Sequence, residues 1–95
     1  MLKNKKTNLT LKKKELLFKS THRGTKELDY LIGNFVLDKI DVLTEKDLNS
    51  LELILSFNDT YLFRILTEKE RINKKMDVNL VKKIIKFNKR FKYDS

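Results

Sequence analysis

The chain has no cysteine, no proline, no tryptophan, and only two glycines among its 95 residues. Without cysteine there is no disulfide to staple a small fold, no thiolate for zinc and no thiol nucleophile. Without proline, only polar caps and the two glycines are left to stop a helix. The single histidine, His22, stands beside a glycine turn and reads as an exposed or capping side chain rather than a catalytic one. The carboxylates do not follow a calcium-loop spacing, so no metal site is expected. "HRGTKE" lacks the further glycines that let backbone amides close around a phosphate, and no Ser-His-Asp order stands out. No apolar run approaches the ~18 residues of a membrane span. The basic start "MLKNKKTNLTLKKK" is not followed by the apolar core of a secretory signal. These absences leave no catalytic or metal-binding arrangement in view; no cofactor is expected, and the expected location is the cytoplasm.

Positive charge is abundant but uneven. The net charge of +9 divides into +6 over residues 1–14, −3 over 15–73 and +6 over 74–95. Basicity therefore belongs to the ends, and the centre is mildly acidic. Lysine-rich ends serve as solubilising tails or meet nucleic acid or an anionic membrane. The lysines lie outside the central module and lack interleaved aromatics, which argues against a nucleic-acid-binding or antitoxin-like regulator without removing it as the alternative function.

The apolar pattern is helical throughout. "LKKKELLFKS" reads as a short helix starting near Thr10, with Leu11, Leu16, Leu17 and Phe18 as its apolar residues. Gly24 stops it or forms the hinge into the next. From Thr25 to about Asp38 the residues Leu28, Leu31, Ile32, Phe35 and Val36 form the i, i+3, i+4, i+7, i+8 stripe of an amphipathic helix, with Gly33 inside it as a place of close helix packing. Thr44 is the expected N-cap of a third helix, with Asp47 completing a capping box and Val42 or Leu43 supplying a staple. Its stripe is Leu48, Leu51, Ile54 and Leu55. Asn58 or Asp59 caps a fourth helix that buries Tyr61, Leu62, Ile65 and Leu66. After the polar connection "TEKERINKK", Asp77 caps a fifth, with Leu80, Val81, Ile84, Ile85 and Phe87 between lysines. The expectation is all-α, a small bundle of about five short helices. A basic extension over residues 1–10, a helical domain over 11–90 and a tail over 91–95 complete it.

The turn "THRGTKELD" is the most informative stretch. Arg23 and Glu27 stand four apart, the spacing of a helical ion pair. A second use is also open. Gly24 lets a partner's backbone come close, Arg23 offers a fork of donors, and Glu27 offers an acceptor. Asp29 is out of phase with Glu27 and is expected to serve the domain's own polar contacts.

The segments "LLFKSTHRGTKELDYLIGNF" and "LTEKDLNSLELILSFNDTYLFRIL" resemble the small assembly factors of the succinate dehydrogenase flavoprotein, the bacterial SdhE proteins and their mitochondrial relatives. The family's Arg-Gly-x-x-Glu signature falls on Arg23, Gly24 and Glu27, followed directly by Leu28 and Asp29. The likeness covers roughly residues 11 to 67. It implies a small helical chaperone that binds the flavoprotein subunit of succinate dehydrogenase, or of fumarate reductase, and promotes covalent attachment of FAD, the FAD being carried by the partner. By the same resemblance Arg23, Gly24, Glu27, Asp29 and Phe63 are the protein-interaction residues. Phe63 stands where the family commonly has tryptophan, which keeps an aromatic surface but loses the indole donor.

Overall fold

The computed structural model describes residues 9 to 90. Most of the basic extension expected over 1–10, and all of the tail expected over 91–95, lies outside the described residues. Five helical elements occur, and no strand is present among the described residues. They are α1 (Leu11–Thr21), α2, α3 (Glu45–Leu55), α4 (Asp59–Leu66) and α5 (Val78–Arg90). α2 is assembled from Lys26–Leu28, a π-helical turn Asp29–Gly33, and Asn34–Lys39. The expected all-α bundle is what the chain forms.

Each helix starts where a short polar side chain can satisfy its first free amides. Thr10 accepts from the Lys13 amide, Thr25 from Leu28 and Asn58 from Tyr61. Thr44 and Asp47 form a reciprocal capping box: the Asp47 amide donates to Thr44 Oγ1 and the Thr44 amide to Asp47 Oδ2, both at 3.1 Å. Asp77 Oδ1 accepts the Leu80 amide at the start of α5 and Oδ2 accepts the Ser50 hydroxyl of α3. Of the amide and the acid offered for α4, Asn58 makes the cap, which leaves the Asp59 carboxylate free for a tertiary contact.

One core holds the elements together. The stripes of α2 and α3 are buried as their spacing requires, as are Leu80, Val81, Ile84 and Ile85 of α5 and Leu62, Ile65 and Leu66 of α4, while Tyr61 and Phe87, expected inside, are half-buried at the edge of the core. Leu43 packs against this core as a staple, while Val42 is 71% exposed. α1 contributes less than its composition suggests: Leu16 is buried, but Leu11 and Phe18 face solvent. Ile72 within the polar connection and Met76 just after it also reach the core.

The stripe of α2 predicts one regular helix, and here the structure differs. The π turn at Asp29–Gly33 buries Gly33 beside Leu31 and Ile32. A Cβ on Gly33 would lie 3.1 Å from Thr21 Cγ2 and 3.2 Å from the Ser20 carbonyl oxygen, so a side chain there would push α1 away. Wider turns leave backbone groups needing other partners. Asn88 of α5 supplies one, its Nδ2 donating to the Leu31 carbonyl at 2.9 Å and to its own Ile84 carbonyl. The close approach of α1 to α2 fixes the turn between them, where the sequence motif lies.

Candidate functional site

Arg23 does not pair with Glu27. Its side chain turns inward to the corner between α3 and α4, where Nη2 lies 2.8 Å from Asp59 Oδ1 and Nε donates to the same oxygen at 3.0 Å. Nη1 donates to the Leu55 carbonyl at 2.8 Å and Nη2 to the Phe57 carbonyl at 2.9 Å. The reason is electrostatic and geometric. The C-terminal end of α3 presents carbonyls without intrahelical donors and a partial negative charge, and Asp59 opens α4 directly after it. A planar guanidinium satisfies carbonyls and carboxylate together. The side chain is only 13% exposed and that of Asp59 28%, so most of the fork expected to face a partner is spent within the domain.

The main chain of the same turn is also tied down. The Arg23 amide donates to Asp29 Oδ1 at 2.6 Å. Asp29 thus serves an internal contact, as its phase along α2 predicts. Gly24, exposed, has φ +117°, a conformation that side-chain-bearing residues rarely adopt. Space is not the constraint, since a Cβ there would meet Asp59 Oδ2 at an ordinary 3.4 Å. His22 stacks on Phe18 with ring centroids 4.1 Å apart. Its Nδ1 lies 3.0 Å from both the Phe18 carbonyl and Thr21 Oγ1, so it closes the end of α1.

Glu27 is the member of the motif left facing outward. It lies in the first turn of α2, is exposed, and its carboxylate is in no hydrogen bond or ion pair with the described residues. It shares a shallow depression with Thr25, Asp59, Thr60 and Phe63. Phe63 is half-buried, packed against the core on one side and lining this depression on the other. The fold therefore places Gly24, Glu27 and Phe63 around one surface, with Arg23, Asp29 and Asp59 beneath as its internal struts. Sequence reasoning missed Asp59 as the partner of Arg23. Its only signal was an acid left over beside Asn58, the better cap.

Since Arg23 neutralises Asp59, the open anion of the depression is Glu27. The arrangement presents an acceptor and an aromatic face on a rigid turn and carries no nucleophile–base pair. Among the described residues no cluster of three or more His, Asp or Glu is placed to hold a metal ion, and no helix is long and apolar enough to cross a membrane.

The model of the family described as the flavinator of succinate dehydrogenase matches residues 14–88. The chain belongs to this family. The flavinator match runs from α1 through nearly all of α5, so it covers the whole corner built around Arg23. Among individual relatives, the FAD assembly factor SdhE of Wigglesworthia glossinidia brevipalpis is 37% identical over 83 residues, 86% of this chain and 93% of that protein. The protein of the same description in Acetobacter pasteurianus is 42% identical over 55 residues, 58% of this chain and 50% of that protein. The mitochondrial succinate dehydrogenase assembly factor 2 of Dictyostelium discoideum is 31% identical over 70 residues, 74% of this chain and 50% of its own length. The chain thus spans about half the length of two of these three relatives. No solved structure matches it.

Proposed function

We propose that the chain binds the flavoprotein subunit of succinate dehydrogenase, or of fumarate reductase, and promotes covalent attachment of FAD to a histidine of that subunit. The observation that carries this reading is the exposed, unpaired Glu27 on a turn locked by Arg23, inside the region matched by the flavinator family. A turn held rigid before binding loses little conformational freedom when a partner docks. Gly24 lets the partner's backbone approach, Glu27 accepts a hydrogen bond from it, and Phe63 offers apolar area at the edge of the depression. The assembly factor contributes orientation: it holds the flavoprotein and its own FAD in the geometry for bond formation. Arg23 acts through the others by setting the turn, and Asp29 does the same from the main-chain side.

The test is co-expression with the flavoprotein subunit, read by pull-down and by the fluorescence of covalently bound flavin in denaturing gels. Glu27→Ala is expected to stay folded while losing both association and covalent flavin, because a partner donor is left unpaired in a dry interface. A folded Glu27→Ala variant that binds and supports flavin attachment like the parent would overturn the assignment of this surface. Failure of the parent chain to associate with the subunit at all would overturn the function.

A further inference from the structure

At the opposite end of α2 from Glu27 lies a second concave surface. Phe35 of α2 and Phe87 of α5 meet edge to face, ring centroids 5.6 Å apart, and with Leu43 they floor a groove. Exposed Val42 stands at its margin. One wall is a row of cations on α5: Lys83, Lys86 and Arg90. Spacings of three and four place them on one edge of the helix, with about 5–6 Å between neighbouring Cβ atoms.

Some exposed cations of the domain are already paired. Lys12 pairs with Glu52, Arg64 with Glu70 and Lys89 with Glu68. Lys83, Lys86 and Arg90 have no acidic partner among the described residues. The helix C-terminus accounts for Arg90, but Lys83 and Lys86 precede the last turn, where the dipole effect has faded. The acid across the groove, Asp47, is engaged by the Thr44 amide in the capping box of α3. Neighbouring like charges repel, so the row destabilises the free domain and an anionic occupant would relieve it.

We propose that this groove is a second docking surface and that its occupant is an acidic amphipathic peptide segment of a partner protein. Charge complementarity fixes the sign of the occupant and the floor fixes its kind. An apolar side chain of the peptide covers Leu43, Val42 and the Phe35–Phe87 edge, while its carboxylates meet Lys83, Lys86 and Arg90. Nucleic acid would use the cations and leave the floor uncovered. The two rings are packed on each other and do not stand free as a stacking platform. From Glu27 to Lys39 the helix rises about 18 Å, so the groove and the Glu27 turn are open to separate ligands. The proposal does not depend on the flavoprotein reading.

The experiment titrates the full chain at low salt against a fluorescent synthetic helical peptide that repeats Glu and Leu at three- and four-residue spacing. Control peptides replace Glu by Gln or Leu by Ser, and a single-stranded oligodeoxythymidine and phosphatidylserine vesicles are run in parallel. The Glu/Leu peptide is expected to bind ~10-fold or more tighter than either control peptide. The double variant Lys83→Glu, Lys86→Glu, whose changes are on exposed positions, is expected to keep its circular dichroism and lose that binding. Three results overturn the proposal: no binding of the Glu/Leu peptide, equal binding of the Ser control, or tighter binding of the oligonucleotide or vesicles.

Discussion

Arg23 and Glu27 are neighbours in one motif with opposite duties. The Arg23 guanidinium bridges Asp59 and two carbonyls at the end of α3 in a largely buried corner. A lysine carries the charge but not the fork, so at least one of the Leu55 and Phe57 carbonyls loses its donor. Arg23→Lys is expected to lower stability by roughly 1–3 kcal/mol, measured by urea denaturation. Glu27→Ala removes no internal contact and is expected to stay within about 0.5 kcal/mol of the parent. Equal stability of the two variants would contradict the division of labour between strut and surface. Glu68 offers a separate residue-scale check. It follows α4 with φ +63°, the only described non-glycine residue with positive φ, and its ion pair with Lys89 is exposed. Exposed pairs contribute little, so relief of the backbone dominates. Glu68→Gly is expected to raise stability by about 0.5–1 kcal/mol, read as an upward shift of the thermal midpoint.

Among the elements, α5 carries a pH-sensitive cap. The Leu80 amide and the Ser50 hydroxyl hold the Asp77 carboxyl below the usual carboxylate range, the first being the larger cause. A carboxyl with a depressed folded pKa contributes stability that is complete above its unfolded value and is lost as pH falls through the folded one. The loss therefore begins near pH ~4 and deepens below it. In Asp77→Asn the cap geometry survives without the titrating charge. Denaturation series from neutral pH to the acid limb are expected to show a shallower loss for the variant than for the parent; identical acid limbs would remove Asp77 from the account. α2 illustrates a different dependence. Its stripe of Leu28, Leu31, Ile32, Phe35 and Val36 is local, but its π turn is met by tertiary contacts, Gly33 against α1 and the Leu31 carbonyl on Asn88 of α5.

For the molecule as a whole, stability rests on a single core to which every helix contributes. Leu51 of α3 is fully buried at its centre. Leu51→Ala is expected to destabilise by roughly 2–5 kcal/mol, a large part of what a domain of this size possesses. Thermal melts showing no loss would refute the helix register given for α3. The same core sets the surface. Packing α1 against the π turn of α2 orients the Arg23–Gly24 turn, and packing α4 against α2 brings Phe63 to Glu27.

Helix type, order and caps were legible in the sequence because their causes act within about four residues. Thr10, Thr44 with Asp47, Asn58 and Asp77 sit where their helices start, and the apolar stripes of α2, α3 and α5 mark their buried sides. The motif was legible as a pattern at Arg23, Gly24 and Glu27, and family membership was legible with it. Only the tertiary structure decided which of these residues faces outward. Arg23 meets Asp59 across 36 positions and Asn88 meets Leu31 across 57. No local spacing encodes such pairs, because they depend on how packed helices bring distant donors and acceptors to hydrogen-bond distance. The nearby Glu27 had the right spacing for Arg23, but the bare carbonyls ending α3 and the Asp59 carboxylate together offered a guanidinium more acceptors than one exposed glutamate.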